Sequence, residues 1–283
     1  MSQDALKALK VGFTGTRTPP DSEAFQHVFV NASGELMQSS NLAIAAGQVS
    51  GRSAVNKFGV NPDVDTTSDP EDIWGGATAL WVPPTTARTH QIASTSTADD
   101  GDPAGTGAHS ITITGLDANF AVQSEEIELN GTTDVPTANT YTRIYRMFIT
   151  AAGSGGTNAG TITATADTDS TVTAQITIGV GQTGMAIFSV PDGKSFYLSM
   201  LATTVLGVGA TTIADMRLIQ TTGIDGSTAA NRVRHFWSAD RGAAAITFDP
   251  PKKFDGPCDV IARCQEISSS NSSVACWFDG IVA

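Results

Sequence analysis

Polar and apolar positions alternate along most of this chain beyond its first quarter. Residues 110–114 read Ser-Ile-Thr-Ile-Thr, with Ile111 and Ile113 on one face. After a turn at 115–119, residues 120–129 continue the pattern. There Ile127 and Leu129 point inward and Glu126 and Glu128 outward, and the run stops at the tight-turn pair Asn130-Gly131. The strongest strand is 140–150, TYTRIYRMFIT. Both of its faces carry apolar residues, so both are expected to be covered. Further strands are expected at 89–95, 161–166, 173–178, 185–190, 196–204, 215–220, 232–238, 244–248, 259–266 and 274–282. Pro191-Asp192-Gly193 predicts a hairpin between two of them, and a polar loop at 268–273 separates the last two. Short strands with turn signals roughly every ten residues are the signature of a sandwich or barrel. No strand–helix alternation appears, which excludes a parallel α/β fold. The absence of a fixed-period repeat disfavours a propeller.

The first sixty residues lack this pattern. A short helix over 2–10 is expected, with Ala5, Leu6 and Leu9 on one face, then an extended run over 12–20 and one strand at 27–30. Residues 36–58 are small, polar and interrupted by Gly. The change falls at 59–76, GVNPDVDTTSDPEDIWGG. The expected organisation is therefore an extended N-terminal arm, 1–73, and an antiparallel β-sandwich body of jelly-roll type, 74–283. That body is one sandwich or two packed β subdomains.

Composition agrees with an all-β chain. Charged residues are only 16% of the 283, and Gly is abundant at 28. Thr dominates the polar faces and suits a pleated surface, while Gly supplies turns. The net charge of −12 argues against a nucleic-acid partner, which needs a basic stripe. The nearest approaches to one are Arg232–Arg234 and Lys252–Lys253, each too short alone. No apolar run is long enough to span a bilayer, and the start, MSQDALKALKVGFTGTR, has no secretory core. Cys258, Cys264 and Cys276 are an odd number near one end and read as buried thiols. The alternative is a Cys264–Cys276 contact across a terminal hairpin.

Candidate chemistry is sparse. Asp63, Asp65, Asp69, Glu71 and Asp72 could hold Ca²⁺, but their spacing does not match an EF-hand loop. They read better as a solvated loop of turn-forming carboxylates, as do Asp99, Asp100 and Asp102. His27, His90, His109 and His235 are not at metal-ligand spacing. No GxSxG elbow is present, and the glycine-rich loop at 153–160 lacks the GK[ST] of a P-loop and leads into a strand. No catalytic residue, metal or cofactor is expected. Trp74 and Trp81, with Pro83-Pro84, suit either an apolar anchor at the arm–body junction or a carbohydrate platform. The anchor is the preferred reading.

From Asn61 onward the chain resembles a family of tailed-phage structural proteins. The likeness is carried in order by NPDVDTTSDPEDIWGG, DPAGTGAHSITITGLDANF, ELNGTTDVPTANTYTRIYRMFITAAGSGGTNAGTIT and GQTGMAIFSVPDGKSFYL. It is loosest after Ala210. The resemblance implies a non-enzymatic virion component made in the host cytoplasm, a capsid decoration or head-fibre protein. Its implied partners are the major capsid protein or tail proteins and further copies of itself, a homotrimer being favoured. A receptor- or carbohydrate-binding module on a tail or fibre is the alternative. The resemblance supplies no catalytic residue.

Overall fold

The computed structural model describes residues 40–66, 70–76, 78–207, 211–226 and 229–283. The expected helix at 2–10, the extended run at 12–20 and the strand at 27–30 lie outside the described residues. Chain contacts divide the protein into Met1–Gln48 and Val49–Ala283. In the first unit, α1 (Ser40–Ala45) is a helix the sequence pattern did not predict. Gly47 ends it at φ +69°. Its N–H bonds the Ile44 carbonyl and the next N–H, of Gln48, bonds Ala43. This closure satisfies carbonyls that a helix end otherwise leaves open.

The second unit is all-β. Its strands are β1 (Ser53–Val64), β2 (Glu71–Asp72), β3 (His90–Ser94), β4 (Ala108–Leu116), β5 (Val122–Glu128) and β6 (Val135–Pro136). Then come β7 (Arg143–Ala152), β8 (Ile162–Ala166), β9 (Val172–Ile176), β10 (Ile187–Val190) and β11 (Ser195–Leu206). The last five are β12 (Ala214–Thr222), β13 (Ala230–Ala239), β14 (Ala244–Asp255), β15 (Cys258–Ile267) and β16 (Ser272–Val282). They form four antiparallel sheets, ordered β1-β16-β11-β14, β10-β15-β12-β13 with β2 added beside β15, β6-β3-β8-β9, and β5-β4-β7. The sheets sit in a propeller-like ring. The chain does not wind through it blade by blade, however. The first two sheets take β1 and then every strand from β10 onward, whereas β3–β9 build the other two. The segment from β3 to β9 is thus an insertion into a two-sheet unit.

This topology corrects the arm boundary at residue 73. Ser53–Val64 is a long strand paired with β16 from Ser53↔Val282 to Val64↔Ser272, and Glu71–Asp72 pairs with Cys264–Arg263. The pattern of β1 was obscured by Gly59 and Pro62, and its ladder shifts register between Asn61 and Val64. Gly59 is required by proximity: a Cβ there would lie 2.2 Å from the Ala186 nitrogen and 2.3 Å from the Ile73 oxygen. Two expected hairpins are also corrected. β10 and β11 lie in different sheets, as do β15 and β16. Their connecting turns cross between layers. At Pro250-Pro251 the strand does not end. β14 continues, and Phe248–Pro251 is accommodated by a register shift opposite Leu198 and Met200.

Among the described residues there are two hydrophobic cores. The first lies between the sheets of β1-β16-β11-β14 and β10-β15-β12-β13. Phe196, Phe254 and Phe278 come from one sheet and Phe188 from the other, and Phe196 touches all three rings at centroid distances of 5.2–6.1 Å. Each such ring contributes about 1.5–3 kcal/mol by leaving water. The second core is built on Trp74, Ile92, Ile111, Ile113, Tyr141 and Ile144, and takes Ile187, Ile219 and Ile261 from the sheet of β10, β12 and β15. That sheet is therefore covered on both faces, and β10 is buried at all four positions.

Candidate interaction surface

The stretch around β2 is the first place where candidate residues meet. Asp72 is fully buried. Arg263 of β15 grips it with Nε on Oδ1 at 2.6 Å and Nη2 on Oδ2 at 3.2 Å, and the Trp81 N–H donates to Oδ2 at 2.9 Å. Glu71 is also buried and accepts from the Asn61 side chain at 2.9 Å and the Asp65 N–H at 2.9 Å. Asp65 in turn accepts the Asn271 N–H at 3.0 Å, and the Asp63 N–H donates to the Asn61 side chain at 3.0 Å. The acidic segment is therefore not simply a solvated loop. Its inner carboxylates tie β1, β2 and β15 together, and Asp63 alone of those described is exposed. Asp69 lies outside the described residues. Burial pushes the Asp72 carboxyl up, while Arg263 pulls it back down.

Trp74 and Trp81 are 1% and 5% exposed and belong to the second core. Their indole N–H groups donate to the Thr78 carbonyl at 2.9 Å and the Thr173 carbonyl at 2.7 Å. Neither ring offers a face to solvent. Beside Trp81, Arg143 of β7 bonds Asp259 of β15 at 3.0 Å, with both groups buried, and its guanidinium lies 5.8 Å from the Trp81 ring. Ser189 adds a third bond to Asp259 at 2.6 Å. This pair joins the inserted strands to the two-sheet unit.

Asp99 overturns its expected place in a solvated loop. It is fully buried, and its two oxygens accept from Ser94 Oγ (2.6 Å), Ala108 N (2.7 Å), Ala159 N (2.7 Å) and Gly160 N (2.8 Å). One carboxylate thus fixes three loops, including the glycine-rich one. Gly107 admits it, since a Cβ there would meet Oδ1 at 2.1 Å. The glycine-rich loop joins β7 to β8 in a different sheet, so it is not a hairpin connection.

No family model matches the chain, and no curated protein matches it.

The feature that sequence reasoning missed lies on β13 and β14. These are edge strands of the two C-terminal sheets, each paired on one side only among the described residues. Arg232–Arg234 and Lys252–Lys253 are too short separately, but the fold joins them. Arg234 Nη2 donates to the Lys253 carbonyl at 2.9 Å, and its guanidinium lies 4.7 Å from the Phe254 ring. Lys252 Nζ is 4.8 Å from the Phe248 ring, and Arg217 lies 5.5 Å from Phe236, which is 65% exposed. His235 stacks on Trp237 at 5.9 Å and meets Phe248 edge-on at 5.1 Å. Burial, and then Lys252, lower the His235 pKa, so its ring tends to stay uncharged. The result is a net basic, aromatic margin on an acidic protein, in which Lys253 is paired with Asp255 at 2.8 Å while Arg234, Lys252 and Arg217 lie against aromatic rings. Only the alternation of cations with aromatics in RVRHFW and TFDPPKKF hinted at it.

The other candidates do not converge. His90, His109 and His235 lie on β3, β4 and β13, and His27 lies outside the described residues. Among the described residues no group of three or more His, Cys, Asp or Glu is placed to hold a metal, and no helix is long and apolar enough to cross a membrane. Cys258, Cys264 and Cys276 are buried free thiols, each pushed up to about 12 by burial.

Proposed function

We propose that this chain is a non-enzymatic structural component of a tailed-phage virion, a capsid decoration or head-fibre protein that sits on the particle surface and stabilises it. The observation that carries the reading is the strand walk. Taken as β1 and then β10–β16, eight strands divide between two sheets in the order of a jelly roll, first paired with eighth and third with sixth in one sheet, second with seventh and fourth with fifth in the other. We read the C-terminal two sheets as that jelly roll and the inserted strands as an elaboration of its first connection. Jelly rolls recur in viral shells and lectins, which agrees with the resemblance to phage structural proteins from Asn61 onward, loosest after Ala210.

The basic, aromatic margin of β13 and β14 is the proposed attachment surface. The lysines and the Pro250-Pro251 pair discourage strand addition at this edge, so the contact inferred is through side chains, and the partner is an acidic patch of the capsid or tail. A homotrimer on the particle is part of the same proposal. The carbohydrate-binding alternative has less support, because the indoles of Trp74, Trp81 and Trp237 are buried rather than laid out in a groove.

The test is quantitative mass spectrometry of purified particles together with their heat stability. Hundreds of copies per particle are expected for a decoration protein, and a dozen or fewer would move it to the tail. Absence of the chain from purified particles would sink the proposal. The double variant R232E/R234E, folded by circular dichroism, is expected to fail to attach.

A further inference from the structure

A second cation site lies away from that margin. Lys57 sits on β1 with its side chain turned inward, only 3% exposed. Its Nζ donates to the Tyr145 carbonyl and lies 5.6 Å from the Tyr145 ring. An ammonium has three donors, and among the described residues no carboxylate stands within ion-pair distance of this one. The charge that acts on it is another cation, Arg146, and burial with that repulsion drives the Lys57 pKa well below its usual value. A lone buried ammonium is costly, and the arrangement is relieved when an anion arrives.

A cleft of about 460 Å³ opens onto this lysine, within the usual range of small-molecule sites. Its walls come from β1, from β4, β5 and β7 of the insertion, from the β10 region and from the end of β16. The lining holds two cations, Lys57 and Arg146, and no Asp or Glu, in a chain with 28 acidic residues. Arg146 is held in place by the Asn56 carbonyl and the Gln182 side chain, the first at 2.6 Å and the second at 3.3 Å. Ser53, Asn56 and Thr114 add uncharged polar groups, and the apolar part of the lining is formed chiefly by Val55, Val122, Phe188 and Val282. Val122 is 56% exposed there, an uncovered apolar side chain at the cleft.

We propose that this cleft binds a small monocarboxylate with an apolar body, its carboxylate on Lys57 beside Arg146 and its hydrocarbon against Val122, Phe188 and Val282. One buried ammonium matches one negative charge, and the apolar walls favour a hydrocarbon over a sugar or a phosphate. The site is independent of any role on a particle.

Isothermal titration of the full chain with hexanoate tests it, with hexan-1-ol as the uncharged counterpart. Hexanoate is expected to bind with proton uptake, read from the heat in two buffers of different ionisation enthalpy. Hexan-1-ol is expected to bind at least about ten-fold more weakly, the loss of one good charged contact. Lys57→Met should lose at least the same factor, and Arg146→Gln, at the cleft wall, should weaken binding several-fold even if Lys57→Met proves poorly folded. Acetyl-leucine distinguishes the source of the carboxylate: tighter binding than hexanoate assigns the site to an apolar chain terminus, weaker binding to a free acid. No saturable binding of hexanoate or acetyl-leucine at millimolar concentration, equal binding of hexan-1-ol, or undiminished binding by folded Lys57→Met overturns the proposal.

Discussion

Arg263 and Asp72 are joined by two parallel bonds, 2.6 and 3.2 Å long, between the middle of β15 and the two-residue strand β2. The carboxylate is fully buried, so the pair cannot be replaced by water when one partner is removed. Asp72→Ala is expected to cost about 3–5 kcal/mol, because it strands a cation and leaves the Trp81 N–H without its acceptor. Asp255→Ala breaks an exposed pair, Lys253–Asp255 at 2.8 Å, and should cost less than about 1 kcal/mol. Urea denaturation of both variants checks the contrast, and similar values would show that burial is not what matters here.

Asp99 gives a second contrast within one turn. Asp99→Ala removes four hydrogen bonds to a buried carboxylate and should lower stability by about 3 kcal/mol or more. Asp100→Ala, on a half-buried side chain one residue on, should stay within about 1 kcal/mol. Hydrogen exchange adds a local readout. In Asp99→Ala the amides of Ala108, Ala159 and Gly160 should lose protection together, since one carboxylate holds all three.

The two aspartates also mark how far the sequence could be read. Asp-Asp-Gly-Asp-Pro identifies a turn at 99–103, and the turn is there. Which of its three carboxylates turns inward depends on loops some sixty residues away, at Ala159 and Gly160, and local pattern carries no trace of them.

Gly59 is expected to resist substitution although it lies in a strand. Gly59→Ala drives a methyl group into the backbone at Ile73 and Ala186, which cannot swing aside. A loss of about 2 kcal/mol or more is expected from overpacking. Gly184→Ala, where the nearest atom is 3.9 Å away, should be nearly neutral. Thermal unfolding of the pair decides the point, and an undisturbed Gly59→Ala would contradict the close approach of β1 to the β10 segment.

His90 makes stability depend on pH. Its ring is buried, with Nδ1 3.1 Å from the Arg88 carbonyl and Nε2 without a partner among the described residues. Burial chiefly lowers its pKa to about 4, from 6.5. Between those values the unfolded chain holds a proton that the folded one does not, so stability rises with pH. Falling pH from 6.5 to 4 is expected to remove up to about 3 kcal/mol, from 2.5 pH units at 1.36 kcal/mol each. His90→Leu should flatten that part of the stability profile. A His90 ring titrating above pH 6 by NMR would contradict it.

The sequence by itself determined that this protein is all-β and where most strands run. Side-chain direction alternates residue by residue, so Ile111 and Ile113, or Ile127 and Leu129, declare their face without help from the rest of the chain. The turn at 191–193 was likewise legible, but its meaning was not. Backbone N–H and C=O groups are identical along every strand, so the ladder does not name its partner. Only the tertiary structure decided that β1 pairs with β16 across more than two hundred residues, that β10 and β11 part into different sheets, and that Ser53–Val64 and Glu71–Asp72 belong to the body rather than to an arm. The same long-range pairing buried Asp72 and Asp99, left Lys57 facing a cleft with no counter-ion among the described residues, and brought Arg234 against Lys253. Each of these depends on which distant segments come together, and that is settled by the joint burial of two cores, not by any local run of residues.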